Sequence, residues 1–381
     1  MKRLLVLGLV CMFSCCLRAQ VVDTTVCDIL KNPTSFNGKI VKIKGTVTAG
    51  FDQFVVKGEG CGIHVSDIWL SYPEGTKAKA GPAAVLEMQP AQNYTGTVAP
   101  EQRTPVVLDK SKDFKQFDSL LATPAKSAAM CLGCPRYDVS ATLVGRLDGV
   151  DAKLTRDKAG KVGSWTGFGN LNAYSARLVL QSVADVTSKD VDYSKTAALK
   201  DDNTITAGSM DPVEANRNAV KAFGAGTAAG DQIQRAADAF GKAGEKAGAN
   251  GVFMVSGNLN EAAAKDEAKG AKSSPDGVLF NVGFNSNRLS GDAMVRAVAH
   301  MGQHVADLRD PEKGFEEAGI YELEFRGWSA TSLSIVAFGQ KVLTLPGGYL
   351  LWNAAWPGAD RSANVTESIK GYLGTEELLS R

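Results

Sequence analysis

Hydrophobic positions repeat with two different periods in two parts of the chain. In residues 20–195, short runs rich in β-branched and aromatic residues alternate with polar positions, as half-buried strands do. The strongest runs are 39–48, 54–57, 67–72, 137–149 and 176–186. After Asp211 the spacing becomes helical, although 251–255 and 277–284 have the composition of strands. The pattern predicts an α+β protein, with a small β barrel first and a mainly helical part after it.

The length of 381 residues favours two domains. In the first domain, residues 76–124 are weakly patterned and are predicted to be an insertion, with a short strand at 105–108 and a helix at 114–121. A polar stretch with no sustained apolar period follows the last barrel strand and marks a linker. The predicted barrel domain, linker and helical domain are residues 20–195, 196–210 and 211–381.

The N-terminus has the features of an export signal. A basic dipeptide precedes an apolar run at 4–13, and Ala19 is a suitable last residue of a signal peptide over 1–19. The apolar run is too short to span a bilayer, and no later stretch is long enough, so we predict no transmembrane segment. The protein is therefore expected to be exported, periplasmic or extracellular. A lipoprotein acylated at Cys15 or Cys16 is the alternative.

Four of the seven cysteines follow the predicted signal peptide. An even number in an exported chain indicates disulfides, and four cysteines allow three pairings. A Cys27–Cys61 bridge would tie the first helix to the barrel, and a Cys131–Cys134 bridge would then leave none free. The C-x-x-C spacing also occurs in redox and zinc sites, but no βαβ pattern surrounds it and no second C-x-x-C exists, which favours structural bridges.

The charge of the chain excludes one class of partner. The formal net charge is +1, which gives no electrostatic support to nucleic-acid binding. Lys39, Lys42 and Lys44 recur along one predicted strand, but aromatic residues are sparse nearby, so we interpret them as a solvated face. An unidentified envelope component or a small ligand remains as the predicted partner.

Cys27 and five passages of the barrel region occur in a recognisable order: NGKIVKIKGTV, DIWLSY, YDVSATLVGRLDGV, GFGNLNAY and RLVLQSVADV. This set, spanning residues 22–186, resembles exported bacterial OB-fold-like domains of unassigned activity. The resemblance implies a small closed barrel. OB folds often bind oligonucleotides or oligosaccharides on one face, but a fold does not imply a function, so the ligand stays open.

The segment DAMVRAVAHMGQHVAD, residues 292–307, contains two of the three histidines of the chain. His300 and His304 are four residues apart, so on a helix they lie on one face and could bind one metal ion. The His pair is predicted to face solvent or a polar cleft, because an apolar stripe lies on another side of the helix. The stripe consists of Met294, Val298, Met301, Val305 and Leu308.

The order of His300, His304 and a later glutamate resembles the gluzincin pattern of zinc peptidases, H-E-x-x-H followed by a glutamate on the next helix. The resemblance implies Zn²⁺ held by His300, His304 and Glu324. Glu322 is the second choice for the third ligand, and Asp307 is another potential oxygen ligand.

Met301 stands where that family has its catalytic glutamate. Methionine cannot accept a proton, and general-base catalysis contributes on the order of 10²–10⁴-fold. We therefore predict an exported, non-catalytic binding or envelope-associated protein with a degenerate zincin-like domain. The alternative is a zinc-dependent hydrolase in which Glu322 serves as a relocated base. A third interpretation makes the two histidines ordinary polar surface residues.

Overall fold

The computed structural model describes residues 20–58, 60–61, 67–90, 105–125, 135–151, 153–156, 162–191, 238, 246–247, 252–259, 278–285, 288–289, 292–309, 323–324, 326–328 and 330–331. The predicted signal peptide, the linker, Cys131, Cys134 and Glu322 lie outside these residues. In the described part no helix is long and apolar enough to cross a membrane.

The first part of the chain forms a closed five-stranded barrel, as the alternating pattern predicts. Five of the nine strands in this part of the described chain form the barrel. The nine are β1 (Val22–Asp23), β2 (Ile40–Ala49), β3 (Phe54–Lys57), β4 (Asp67–Ser71), β5 (Ala84–Pro90), β6 (Tyr137–Gly149), β7 (Lys153–Arg156), β8 (Val162–Thr166) and β9 (Ala176–Asp190). The barrel order is β2-β3-β4-β9-β6, and β6 pairs back with β2 to close it. The β4–β9 pair is parallel, and the other barrel pairs are antiparallel. Strand β1 extends the sheet beside β2.

Two α-helices pack against the barrel core. Helix α1 (Val26–Lys31) begins at Thr25, whose side chain caps the backbone N–H of Asp28. Helix α2 (Lys112–Ala122) begins at Ser111 and turns Phe114, Phe117 and Leu121 into the barrel core. Cys27 on α1 forms a disulfide with Cys61, which confirms the predicted tie between the first helix and the barrel.

Two elements of the first part differ from the sequence predictions. Residues 105–110 include no strand; among the described residues of the predicted insertion, the strand is instead β5. Residues 151–169 have the glycine- and lysine-rich composition typical of a loop, but they contain the antiparallel pair β7 and β8. Both differences reflect pairing with distant or neighbouring backbone, which outweighs the weak local pattern.

A second, antiparallel sheet joins the two predicted domains. Strands β10 (Lys246–Ala247), β11 (Val252–Asn258) and β12 (Val278–Asn285) are followed in the sheet by β5, in the order β10-β11-β12-β5. Because β5 comes from the predicted insertion of the barrel domain, the two parts share backbone hydrogen bonds from Ala84 to Pro90. Arg288 adds two more links, donating to the carbonyl oxygens of Ala49 and Gly81, each at 2.7 Å.

Helix α3 (Asp292–Arg309) packs on this sheet and forms a second core with it. The predicted apolar stripe is buried there, which confirms its packing role. Its partners from the sheet and the barrel are Phe51, Leu86, Met88, Phe280, Val282 and Phe284. Further helical residues lie at 323–324, 326–328 and 330–331, and Glu324, Trp328 and Thr331 among them contact the histidine face of α3. That helix pair carries the candidate site.

Candidate metal centre

The His pair of α3 is buried and not exposed to solvent or a polar cleft, so that prediction was wrong. His300 and His304 are both 0% exposed. Their Nε2 atoms lie 2.9 Å apart. The reason for the burial is aromatic packing: Phe51, in the turn between β2 and β3, and Trp328 both meet the His300 ring edge-on, with ring centroids 5.1 and 4.9 Å away.

Glu324 reaches the same point from the neighbouring helical segment. Its Oε2 lies 3.3 Å from His300 Nε2, and its Oε1 lies 3.6 Å from His304 Nε2. The three side chains each offer one ligand atom, and these atoms lie within 4.8 Å of one another. The structure thus brings together the three residues that the sequence proposed as metal ligands.

Gly327 makes this close approach of the two helices achievable. A Cβ atom at position 327 would lie 2.9 Å from His300 Cε1 and Nε2 and from His304 Cε1. Real Cβ atoms do not approach ring atoms so closely, because the repulsive wall is steep at that distance. Glycine at this position therefore lets Glu324, one helical turn earlier, reach the two imidazoles.

A threonine fixes the tautomer of His300. Thr331 Oγ1 donates its only proton to the carbonyl oxygen of Gly327 at 3.0 Å and lies 3.4 Å from His300 Nδ1. The hydroxyl can then only accept from His300, so Nδ1 carries the proton and Nε2 presents a lone pair. Metal-binding histidines are commonly oriented in this way by a partner at the other ring nitrogen.

Burial governs the protonation of all three groups. Loss of solvation lowers the pKa of His300 to about 3 and, with His300 beside it, lowers the pKa of His304 well below its usual value. Both imidazoles are therefore neutral near pH 7. Burial raises the pKa of Glu324 to about 8, although hydrogen bonds with Asp52 and Trp328 act in the opposite direction. A cation at this point would compensate for the missing solvation of the carboxylate.

The nitrogen and oxygen atoms that His300, His304 and Glu324 bring together suit a metal ion. Glu324 Oε2 and His304 Nδ1 are buried without a hydrogen-bond partner among the described residues. His300 Nε2, which carries no proton in the tautomer set by Thr331, cannot donate to Oε2. Lone pairs that face one another require a shared proton or a metal ion between them. Two neutral imidazoles and one carboxylate are a common ligand set for Zn²⁺.

Asp307, the other candidate ligand among the described residues, does not join the three. Asp307 accepts from Gln303 Nε2 at 2.8 Å and lies 3.8 Å from Arg326 Nη1, so it takes part in a separate polar group. Glu322 lies outside the described residues. Met301 is fully buried in the core between α3 and the sheet, which agrees with its place in the predicted stripe.

Two barrel residues at the site were missed by the sequence reasoning. Asp52 hydrogen-bonds with Glu324, and Asn170 donates to Asp52. In the sequence, Asn170 lies in the passage GFGNLNAY, whose polar residues show no spacing that indicates a site. Asp52 follows a strand in a tight turn, where aspartate is common for local reasons.

No protein-family model, curated protein or solved structure gives a significant match to this chain. The class of the protein is therefore defined by its own geometry: a closed five-stranded barrel joined to a buried His-His-Glu group that could hold a metal ion.

Proposed function

We propose that the protein is an exported, non-catalytic zinc-binding protein, in which an OB-like barrel is joined to a degenerate zincin-like helix pair. The observation that carries the proposal is the convergence of His300, His304 and Glu324 in a site closed to solvent. The five-stranded barrel supports the OB-like assignment, and the Cys27–Cys61 disulfide agrees with export to an oxidising compartment.

Closure of the site supports a binding role over a catalytic one. Catalytic zinc sites keep a position open for water or substrate, whereas structural zinc sites are closed. Here the imidazoles are 0% exposed and Phe51 and Trp328 pack against them. When bound, zinc would supply a cross-link between α3 and the segment that carries Glu324, and its binding free energy would add to the stability of the fold.

The residue at position 301 supports the same conclusion. A general base has to reach the metal-bound water, and Met301 is directed into the apolar core instead. The alternative function, a zinc-dependent hydrolase, needs a base from elsewhere, such as Glu322, and an opening to the site. Zinc held by His300, His304 and Glu324 would then supply activation of water for hydrolysis.

Metal analysis of the purified protein tests the proposal. We expect about one zinc per chain, and we expect a chelator to lower the midpoint of thermal unfolding. Absence of zinc together with unchanged stability in chelator would remove the metal from the proposal. Peptide or casein turnover that disappears in His304→Ala would replace the binding role with the hydrolase.

A further inference from the structure

The turn between β2 and β3 of the barrel reaches into the candidate metal centre. Phe51 contacts His300, and the next residue, Asp52, is 4% exposed and hydrogen-bonds with Glu324. A carboxyl group from the barrel therefore touches the one acidic ligand of the site, which comes from the far end of the chain. This contact is separate from the three ligand atoms themselves, because Asp52 is not among the groups that converge.

Asp52 is in turn held by Asn170. The Asn170 side chain uses both of its polar atoms: Oδ1 accepts from the backbone N–H of Leu86 at 2.9 Å, and Nδ2 donates to Asp52 Oδ2 at 3.3 Å. Leu86 belongs to β5, so the amide is anchored to the backbone of the sheet on which α3 packs. An amide with one group fixed to backbone presents the other in a defined direction.

The turn that carries Asn170 has a conformation that glycine makes accessible. Gly169 has φ of +67°, and a Cβ there would lie 2.3 Å from the Trp69 ring. Leu171 and Asn172 follow with φ of 53° and 48°. Asn172 bonds Met88 of β5 in both directions, donating to its carbonyl oxygen and accepting from its N–H, each at 2.9 Å. The passage GFGNLNAY is thus held on β5 by the hydrogen bonds of its two asparagines, and these bonds fix the position of Asn170.

These contacts form one continuous path from β5 through Asn170 and Asp52 to Glu324. We propose that Asp52 and Asn170 are positioning residues for the metal centre, so that the barrel determines how the third ligand is presented. This inference rests on the proposed zinc-binding function for its effect on affinity. Partners of this kind, one step removed from the metal, typically contribute 10–100-fold in affinity.

Zinc titration against a competing chromophoric chelator tests the inference. We expect Asp52→Ala to weaken zinc binding by about 10–100-fold. Asp52→Asn should stay within about threefold of the unchanged protein, because its amide can donate to Glu324 while its oxygen accepts from Asn170. Asn170→Ala should weaken binding in the same direction as Asp52→Ala. Equal affinities for Asp52→Ala and the unchanged protein would overturn the inference.

Asp118→Ala is the matched control, since Asp118 is another buried aspartate of the barrel, hydrogen-bonded by Ala80 N–H and Tyr72 OH. It should lower thermal stability and leave the zinc affinity of the folded protein unchanged. If Asp118→Ala weakens zinc binding as much as Asp52→Ala does, the effect is general loss of stability and the positioning role is wrong.

A second measurement does not depend on metal. In chelator, urea unfolding of Asp52→Ala, Glu324→Ala and the double variant forms a mutant cycle. We expect the double variant to be less destabilised than the sum of the single variants, because each removes the same contact. If the losses in free energy of unfolding simply add, Asp52 and Glu324 do not interact and the inference is wrong. If the unchanged protein binds no zinc, the proposed function fails while this cycle still decides whether Asp52 holds Glu324.

Discussion

Two buried carboxyl groups in this protein have opposite surroundings. Asp118 of α2 is 8% exposed and accepts hydrogen bonds from the backbone N–H groups of Lys79 and Ala80 and from the Tyr72 hydroxyl, at 3.0, 2.9 and 3.2 Å. Glu324 is 1% exposed and faces two imidazole nitrogens and a second carboxyl group, Asp52. Donors surround the first, whereas the second faces two neutral imidazoles and hydrogen-bonds with Asp52 and Trp328.

The difference separates a structural carboxylate from a candidate ligand. Donors replace the lost hydration of Asp118, and they pin the loop after β4 to α2. The negative charge of Asp118 also contributes, after burial, to the raised pKa of Tyr72. Among the described residues that hydrogen-bond with Glu324, Trp328 is the one obligate donor, and burial is the largest cause of the raised pKa of Glu324. A buried carboxyl group with few donors is stabilised by protonation or by a cation, and the two imidazole nitrogens beside Glu324 complete a group that could hold a metal ion.

A carboxyl group placed in the apolar core beneath α3 is the change with the largest expected effect on stability. Met301→Glu introduces an acid into the apolar core, and burying a polar group without a partner costs roughly 2–7 kcal/mol. We expect a large loss in urea unfolding and no gain of peptide turnover. Met301→Leu is the control and should cost less than about 1.5 kcal/mol. A stable Met301→Glu variant with peptidase activity would show that position 301 faces the metal.

Glu324→Gln sharpens the comparison by removing the ability of this side chain to ionise and bind a cation. We expect zinc affinity to fall by more than about 100-fold, since even residues behind the ligands contribute 10–100-fold. The stability of the metal-free protein should change little near pH 7, because the Glu324 pKa of about 8 already makes that carboxyl group neutral. Isothermal titration with Zn²⁺ measures the affinity, and urea unfolding in chelator measures the stability of the metal-free protein. Unaltered zinc affinity would exclude Glu324 as a ligand.

Asp118→Asn is the counterpart at the structural carboxylate. Loss of its charge weakens hydrogen bonds that are worth about 1.5–3 kcal/mol when the acceptor is charged. We expect the free energy of unfolding to fall by roughly that amount, measured in urea, with unchanged zinc affinity. A neutral effect on stability would contradict the assignment of Asp118 as the anchor of the loop.

Gly327→Ala tests the close approach of the helices. Its Cβ would lie 2.9 Å from both imidazole rings, so the segment that carries Glu324 has to shift, and overpacking typically costs 1–3 kcal/mol. We expect reduced stability together with weaker zinc binding. Loss of stability with intact zinc affinity would mean that the site tolerates the displacement and is less rigid than the geometry indicates.

The pH dependence of zinc binding should report Glu324 and not the histidines. The pKa of Glu324 is raised to about 8 and that of His300 is lowered to about 3, so zinc displaces one proton, from Glu324, in metal-free protein near neutral pH. Apparent affinity should therefore rise about tenfold per pH unit up to about pH 8 and level off above it. Competition titrations over that pH range measure the apparent zinc affinity. A single break near pH 6.5 would instead identify ordinary, hydrated histidines.

Local pattern was sufficient for part of this architecture. The alternation in residues 137–149 and the turn signals around it are properties of the segment itself, and β6 has those bounds. The spacing of His300 and His304 and the apolar stripe of α3 are likewise local. Glu324 is the third ligand that the resemblance to the gluzincin pattern implies, and the structure places it beside the histidines.

The remainder depends on contacts between distant parts of the chain. Strand β5 alternates apolar and polar residues, but its partner β12 begins at Val278, and nothing near β5 indicates that pairing. The burial of His300 depends on Phe51 of the barrel, and Asp52 and Asn170 resemble ordinary turn residues until the fold brings them to Glu324. Helical periodicity could separate the polar side of α3 from its apolar side, but it could not show that other elements cover the polar side.

X-ray absorption at the zinc edge tests the central claim most directly, using full-length protein loaded with one equivalent of Zn²⁺. We expect a shell with two imidazole nitrogens at about 2.0–2.1 Å and at least one oxygen at about 2.0–2.2 Å. This signal should lose its imidazole component in a His300→Ala, His304→Ala double variant. Sulfur ligands at about 2.3 Å, as Cys131 and Cys134 would supply, or a shell without imidazole, would contradict it.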